Sequence, residues 1–180
     1  MARYIHRTPV RDAVGKAYTA AMGEYVSQLA KLGYEAIMYA YNDGHAEGSA
    51  EKKPIGDGKW RHRSRNLHDS FASAVYVNGI LQEDTIYYVG GEYSRREYNG
   101  KTGREYAREY LENPDEDVSG DVTLLCIAAM EYAEYLEKGT HRGGYQIRVI
   151  SGASDYIAMN WHRVKTDLFE VKKVRFIAGE

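Results

Sequence analysis

The stretch Ala72-Ser73-Ala74-Val75-Tyr76-Val77-Asn78-Gly79-Ile80 decides the fold of this 180-residue chain. Apolar and β-branched residues on both sides of Asn78-Gly79 predict two strands, at 72–77 and 80–89. An Asn-Gly pair between such runs is the strongest local signal for a two-residue turn, because both residues tolerate positive φ angles. The first predicted element is therefore an antiparallel β-hairpin.

Further strands are predicted outward from this hairpin. Residues 122–130 are apolar on both faces, which is typical of a central strand. Residues 145–150 and 172–177 also have strand character. Residues 92–119 look like an insertion that holds a short helix at 102–111, because Asn113-Pro114 favours a helix end there.

Two longer helices are predicted from apolar residues at steps of three and four. Thr8 and Pro9 suit a helix start, and the apolar stripe then continues to the turn residues at 42–44, with glycine favouring a break near Gly33. A second stripe predicts a helix at 154–171. The sum is an α+β fold, in which a mainly antiparallel sheet of four or five strands packs against a long N-terminal helix and a shorter C-terminal helix. We expect one domain, 1–180, with loop insertions at about 43–64 and 91–120.

Composition narrows the classes of function. The net charge of -2 gives no global attraction to nucleic acid, and no window approaches the 18 apolar residues of a membrane span. The single cysteine, Cys126, lies in an apolar run and suits a reducing cytoplasm, and no signal peptide is recognisable at the start of the chain. Seventeen tyrosines against three phenylalanines favour half-buried protein contacts, although β propensity explains the excess equally well.

Two short motifs carry the functional signal. The first is Asn66-Leu67-His68-Asp69-Ser70, directly before the hairpin. The second is Glu131-Tyr132-Ala133-Glu134-Tyr135-Leu136-Glu137-Lys138-Gly139-Thr140, where helical spacing predicts an apolar face with the charged residues in solvent, ended by the glycine.

Together these motifs resemble the tail-completion, or neck, proteins of tailed bacteriophages. The family motifs read roughly Thr-Gly-Asn-Leu-Arg-Asp-Ser and Tyr-Ala-x-Tyr-Val-Glu-x-Gly-Thr. The matching positions are Asn66, Leu67, Asp69, Ser70, Tyr132, Ala133, Tyr135, Glu137, Gly139 and Thr140. Leu136 replaces valine, Ser64 and Arg65 stand where threonine and glycine are expected, and His68 replaces a basic residue. The likeness in organisation covers about residues 8–170.

The resemblance implies a structural virion protein at the head–tail junction, without catalytic activity. It implies a ring of identical subunits, with portal or connector proteins and tail-tube proteins as partners. The expected location is the virion, and the host cytoplasm during assembly. The motif residues are expected to build the fold more than to touch a partner, while the two long insertions reach toward other virion proteins.

A basic segment supports an alternative, a small nucleic-acid-binding module. Its candidate contact residues are Lys52, Lys53, Lys59, Trp60, Arg61, Arg63 and Arg65. Lysine and arginine bind phosphate and tryptophan stacks on bases, yet a solvated loop also explains such a segment. If the chain is a neck protein, a third hypothesis is that the same side chains face packaged DNA or the acidic stretch 112–121 of a neighbouring subunit.

Other chemistry is weakly represented. The six histidines lack metal-ligand spacing, and the nearest local group, His62 with His68 and Asp69, is predicted to be a solvated loop in which Asp69 caps a helix. No Walker pattern, dinucleotide fingerprint or Gly-x-Ser-x-Gly elbow occurs. No cofactor, metal or enzymatic activity is therefore expected, and a small hydrolase with an unrecognised site is the third possibility.

Overall fold

The computed structural model describes residues 8–49, 60–62, 66–90, 97–138 and 149–164, with side chains described in 14–43 and from residue 66 onward within those ranges. The elements in chain order are helix α1 (Thr8–Gly44), strands β1 (His45–Ser49) and β2 (Trp60–His62), helix α2 (Asn66–Asp69), strands β3 (Phe71–Val77), β4 (Ile80–Leu81) and β5 (Tyr87–Tyr88), helix α3 (Gly103–Glu112), strand β6 (Val122–Ala128), and helices α4 (Glu131–Glu137) and α5 (Ser151–Asn160). The α+β fold predicted from the sequence is confirmed.

Strand β3 is the centre of a four-stranded antiparallel sheet. It pairs with β6 along its whole length, from Phe71 opposite Ala128 to Val77 opposite Val122. On its other side, β4 pairs with its end and β5 with its start. The strand predicted at 122–130 was expected to be central, but among the described strands β6 pairs with β3 alone. Strand β6 is apolar on both faces because its alternate residues pack in two cores, one on each face of the sheet.

The predicted hairpin is present, but its second arm is interrupted. Asn78 and Gly79 form the turn with φ angles of 50° and 78°. A 3₁₀ turn, Glu83–Thr85, then separates β4 from β5. The hydroxyl of the buried Thr85 accepts the backbone N–H of Val75 at 2.9 Å, so a side chain replaces the missing strand partner.

Helices cover both faces of the sheet, because successive strand residues point to opposite sides. Phe71 and Val75 pack in the main core under α1, while Ala72, Ala74 and Tyr76 pack in a second core under α3. The segment 91–120, predicted to be an outreaching loop insertion, therefore contains a structural layer, since Ala107 and Leu111 of α3 are fully buried. Residues 43–64 contain the parallel pair β1 and β2, where a loop was predicted.

Helix α1 runs unbroken through Gly33, so the break that glycine allows there does not occur. A Cβ at Gly33 would lie 2.7 Å from Leu124 Cδ1 and 3.1 Å from Ser73 Oγ. Glycine is therefore needed for the close approach of the helix to the sheet, and this packing offsets its low helix propensity.

Helix α5 packs along the C-terminal half of α1. Gly152 permits the crossing, because a Cβ there would lie 3.1 Å from Ala40 Cα. Glu35 accepts hydrogen bonds from the Tyr156 hydroxyl at 3.0 Å and from Arg163 at 2.8 Å. The C-terminal helix begins three residues before its predicted start. The predicted strand at 172–177 and most of that at 145–150 lie outside the described residues, whereas Val149 and Ile150 form a bend.

Candidate functional site

The two motifs, far apart in the chain, meet at one end of the sheet. The first motif ends where β3 begins, and the second begins just after β6 ends. Antiparallel strands place such ends side by side, and the backbone N–H of Ala129 donates to the carbonyl of Ser70 at 3.2 Å. The C-terminal half of α1 covers the same end, since the rings of Tyr41 and Phe71 are 6.1 Å apart.

The first motif is a buried junction. Asn66, Leu67, Asp69 and Ser70 are all buried, and the Ser70 hydroxyl donates to the Leu67 carbonyl at 2.8 Å. The backbone of Asn66 also touches the start of α3, because a Cβ at Gly103 would lie 2.0 Å from the Asn66 carbonyl oxygen. These residues set the relative position of α2, α3 and β3.

His68 and Asp69 form a hydrogen-bonded pair within this junction. His68 Nδ1 lies 2.6 Å from Asp69 Oδ1, and the carboxylate side chain is 5% exposed. The prediction of a solvated loop with Asp69 as a cap is therefore wrong. Gly90, with φ of 96°, leaves room for the imidazole, since a Cβ there would lie 2.1 Å from His68 Cε1. The second carboxylate oxygen, Asp69 Oδ2, is buried without a hydrogen-bond partner among the described residues.

The second motif divides between core and surface. Ala133 is buried, and Tyr132 packs against the main core with its ring 6.0 Å from that of Tyr98. Tyr135 is 58% exposed, so it is the motif residue that presents an aromatic surface. Gly139 and Thr140 lie outside the described residues.

Glu137 holds the start of helix α5. Its Oε2 accepts the backbone N–H groups of Val149 at 2.7 Å and Ile150 at 2.8 Å. The N-terminus of a helix attracts negative charge and leaves its first N–H groups without partners inside the helix. The prediction that Glu137 stays in solvent is therefore wrong. The sequence signal was a carboxylate close to the glycine that was predicted to end the helix, but the N–H groups that it binds were not recognisable from the sequence.

The acidic stretch reaches both ends of the sheet. The N–H of Asn78, in the hairpin turn, donates to the carbonyl of Asp121 at 3.0 Å. The acidic residues of this stretch within the loop after α3 are Asp115, Glu116, Asp117 and Asp121. Asp121 therefore lies at the hairpin end, whereas Asp115 lines a small pocket with Ala128 and Glu131 at the end where the motifs meet.

The basic segment is described only in part. Trp60, Arg61 and His62 form β2, which pairs with β1 directly after the C-terminal end of α1. The side chains of β2 and the whole of Lys52, Lys53, Lys59, Arg63 and Arg65 lie outside the described part of the chain. The contacts predicted for these residues stay a prediction.

A groove of about 370 Å³ lies between the N-terminal half of α1 and the interrupted strand arm. Its walls include Tyr18, Met22 and Val26 from the helix, and Gln82 and Asp84 from the segment between β4 and β5. Sequence reasoning missed this groove. The signal was the apolar stripe of α1, which continues toward Val14 beyond the part that the sheet covers.

Reactive side chains are scarce in the described structure. Burial raises the pKa of the Cys126 thiol to about 12, so it is neither a nucleophile nor a metal ligand at neutral pH. Within the described ranges, no group of three histidine, cysteine, aspartate or glutamate residues is placed to hold a metal ion. No described helix is long and apolar enough to cross a membrane.

Comparison of the chain with protein-family models, curated proteins and solved structures found no match. The resemblance to neck proteins therefore stays a prediction from the sequence motifs.

Proposed function

We propose that this chain is a structural protein of a tailed-phage particle, placed at the head–tail junction and assembled as a ring of identical subunits. The observation that carries the proposal is the meeting of the two neck-protein motifs at one end of the sheet, where Ala129 is hydrogen-bonded to Ser70. The two motifs thus contribute to one structural unit, as a family signature that specifies a fold would. No catalytic step belongs to this role.

The burial of the motif residues fits a family signature that specifies a fold. Asn66, Ser70 and Ala133 fix neighbouring elements, and Glu137 holds α5 in place. Residues of this kind keep a scaffold rigid, while exposed residues adapt to partners. Portal or connector proteins and tail-tube proteins are the partners proposed.

The separation of charge supports contact between copies. Asp121, the last residue of the acidic loop, lies at the hairpin end, whereas the sequence enters the basic segment after the opposite end of α1. Opposite charges on different parts of one subunit favour a heterologous contact with the next subunit, and such contacts close into rings when the rotation allows it. Charges at an interface rim mainly steer association and register.

Mass spectrometry of purified particles tests the proposal. Particles produced from the genome that encodes this chain should contain its peptides at a constant ratio to a portal peptide, through successive density gradients. An abundant host enzyme serves as the carry-over control, and its peptides should fall with each gradient. A chain whose peptides fall in parallel with that enzyme is not a virion component.

Charge reversal distinguishes the role of the basic segment. The triple variant Arg61→Glu, Arg63→Glu and Arg65→Glu should slow ring assembly if those residues meet the acidic loop of a neighbour. Normal assembly with loss of packaged DNA indicates that these arginines contact DNA. Salt-dependent DNA binding by the isolated monomer supports the alternative function, a nucleic-acid-binding module. Unchanged assembly together with unchanged DNA retention would exclude both the contact with the acidic loop and the contact with DNA.

A further inference from the structure

Two Asn-Gly turns lie on the surface of the molecule. Asn78 and Asn99 are the two residues other than glycine that have a positive φ in the described structure, at 50° and 51°. The glycine that follows each also has a positive φ, 78° at Gly79 and 82° at Gly100, and all four residues are exposed. Both pairs therefore form two-residue turns of the same type.

The Asn-Gly pair has a chemical reactivity of its own. The backbone nitrogen of the glycine attacks the side-chain amide carbon of the asparagine, and ammonia leaves as a succinimide ring closes. Water then opens the ring at one of its two carbonyl groups, which gives aspartate or isoaspartate. Glycine in the second position favours the attack, because no Cβ shields the nitrogen. The reaction consumes water, releases ammonia and needs no enzyme.

A closed turn resists this reaction. The attack requires rotation about the Cα–C bond of the asparagine, because the turn holds the glycine nitrogen away from the side-chain carbon. The hydrogen bonds that close the turn must break first, so the rate follows the population of the open turn. Two turns with the same two residues therefore differ in rate when their surroundings hold them closed to different degrees.

The turn at Asn78 is held by the sheet. It belongs to the hairpin whose first arm is the central strand β3. The Asn78 N–H also donates to the Asp121 carbonyl at 3.0 Å, and a Cβ at Gly79 would lie 3.6 Å from Ser119 Cα. Opening this turn therefore disturbs the end of the central strand and its contact with the loop after α3.

The turn at Asn99 is held by a single bridge. Tyr98 and Lys101 exchange two backbone hydrogen bonds, of 2.8 and 3.1 Å, outside the strands of the sheet. A Cβ at Gly100 would meet nothing within 4 Å, and residues 97–100 are all exposed. Opening this turn breaks the bridge and leaves the sheet intact.

We infer that Asn99 is a site of spontaneous deamidation in the folded protein, whereas the fold protects Asn78 from the same reaction. The products at Asn99 are aspartate and isoaspartate, and each adds a negative charge to the turn. This reactivity is independent of the proposed virion role, because it depends only on the turn and on water.

Isoaspartate at position 99 affects the second motif. Its backbone runs through the former side chain and is one carbon longer, so the bridge between Tyr98 and Lys101 no longer fits. The ring of Tyr98 lies 6.0 Å from that of Tyr132 in the second motif, and the Tyr98 carbonyl accepts the Tyr106 hydroxyl at 3.2 Å. Deamidation therefore changes the packing of the second motif as the protein ages.

Peptide mapping of the aged full chain tests the assignment. The protein is incubated slightly above neutral pH, and trypsin then places the two sites in separate peptides, 66–95 and 97–101. Mass spectrometry measures the conversion at each asparagine, and a carboxyl methyltransferase that recognises isoaspartate labels that product. Folded protein should react at Asn99 at least about tenfold faster than at Asn78, because the opening free energy enters the rate exponentially.

Unfolding and substitution supply the controls. In guanidinium chloride the two rates should agree within about threefold, because the fold no longer separates the two pairs. Asn99→Gly keeps a residue that adopts positive φ and removes the reactive amide, so methyl labelling of peptide 97–101 should disappear. Asn78→Gly is the matched variant, and it should leave the labelling of that peptide unchanged.

The outcomes separate the fold from the sequence as the cause. Equal rates at the two sites in the folded protein, or a faster reaction at Asn78, overturn the assignment. A preference for Asn99 that persists in the unfolded chain overturns the protection by the fold. Isoaspartate at position 99 that leaves the nuclear Overhauser effects between the Tyr98 and Tyr132 rings unchanged overturns the effect on the second motif.

Discussion

Replacing Glu137 by alanine tests whether the second motif acts through the fold. The carboxylate accepts two backbone N–H groups, at 2.7 and 2.8 Å, from Val149 and Ile150. Both residues are buried, with exposures of 1% and 3%. The alanine variant leaves these N–H groups without an acceptor and removes the hydrogen bonds that join α4 to the start of α5.

The magnitude follows from the two bonds. A hydrogen bond to a charged group contributes about 1.5–3 kcal/mol, so two give at most about 6 kcal/mol. Glu137 is only partly buried, and water is able to replace part of the loss. We expect a loss of about 2–4 kcal/mol in the free energy of unfolding, which for a chain of this size lowers Tm by roughly 4–16 °C. Glu137→Gln keeps an acceptor oxygen and should lose about half as much.

Urea unfolding measures this loss, with circular dichroism and tryptophan fluorescence as two probes. Trp161 directly follows α5, and a Trp60→Phe background leaves it as the one tryptophan of the sequence. The control is Glu134→Ala in the same helix. The Glu134 side chain is 19% exposed and pairs with Lys138, which is 63% exposed, so solvent screens the pair and Glu134→Ala should cost about 1 kcal/mol or less. Equal losses for Glu137→Ala and Glu134→Ala would refute the argument that Glu137 joins the two helices.

Three further predictions concern the scaffold. Gly23→Ala should stabilise the chain by up to about 1 kcal/mol, because the added Cβ meets nothing within 4 Å. Gly33→Ala should destabilise it by about 1 kcal/mol, because the added Cβ overpacks the contact with the sheet. Urea midpoints of the two variants that move in the same direction contradict this prediction. Thr85→Val removes the acceptor for a buried N–H of β3 and should cost about 1–3 kcal/mol in thermal unfolding, while Thr85→Ser should cost less. Hydrogen bonds from Thr102 lower the pKa of Glu105, so the stability that the α3 capping box gives is present above the ordinary carboxyl pKa and is lost as pH falls through the lowered value. Acid titration of Glu105→Gln should therefore lack that part of the decline seen in the wild type.

Local signals predicted the local structure. Asn78-Gly79 gave the hairpin turn, and the capping residue Thr102 fits the predicted start of α3. The turn and the helix start depend only on residues close together in the chain, so they are predictable from the sequence alone. The interruption at Glu83–Thr85 was not predicted, because the bond that replaces the ladder joins Thr85 to a residue on another strand.

The candidate site was predicted as two motifs, but not as a junction. Asp69 was expected in solvent because a charged residue in a polar segment usually is. Its burial depends on the room that Gly90 leaves beside His68, in a distant part of the chain. Glu137 was likewise expected in solvent, since the N–H groups that donate to it belong to residues 12 and 13 positions further along the sequence and become neighbours only after folding.

The sequence by itself determined the hairpin turn, the main helices, the apolar stripe of α1 and the α+β class, because periodicity and turn chemistry act over a few residues. The tertiary structure decided which apolar residues remain exposed. Val14 and Leu29 belong to the same helix, yet only Leu29 reaches the sheet, since the strands are far shorter than the helix. That difference in length, which no local pattern encodes, leaves both a groove and a projecting helix at one end of the molecule.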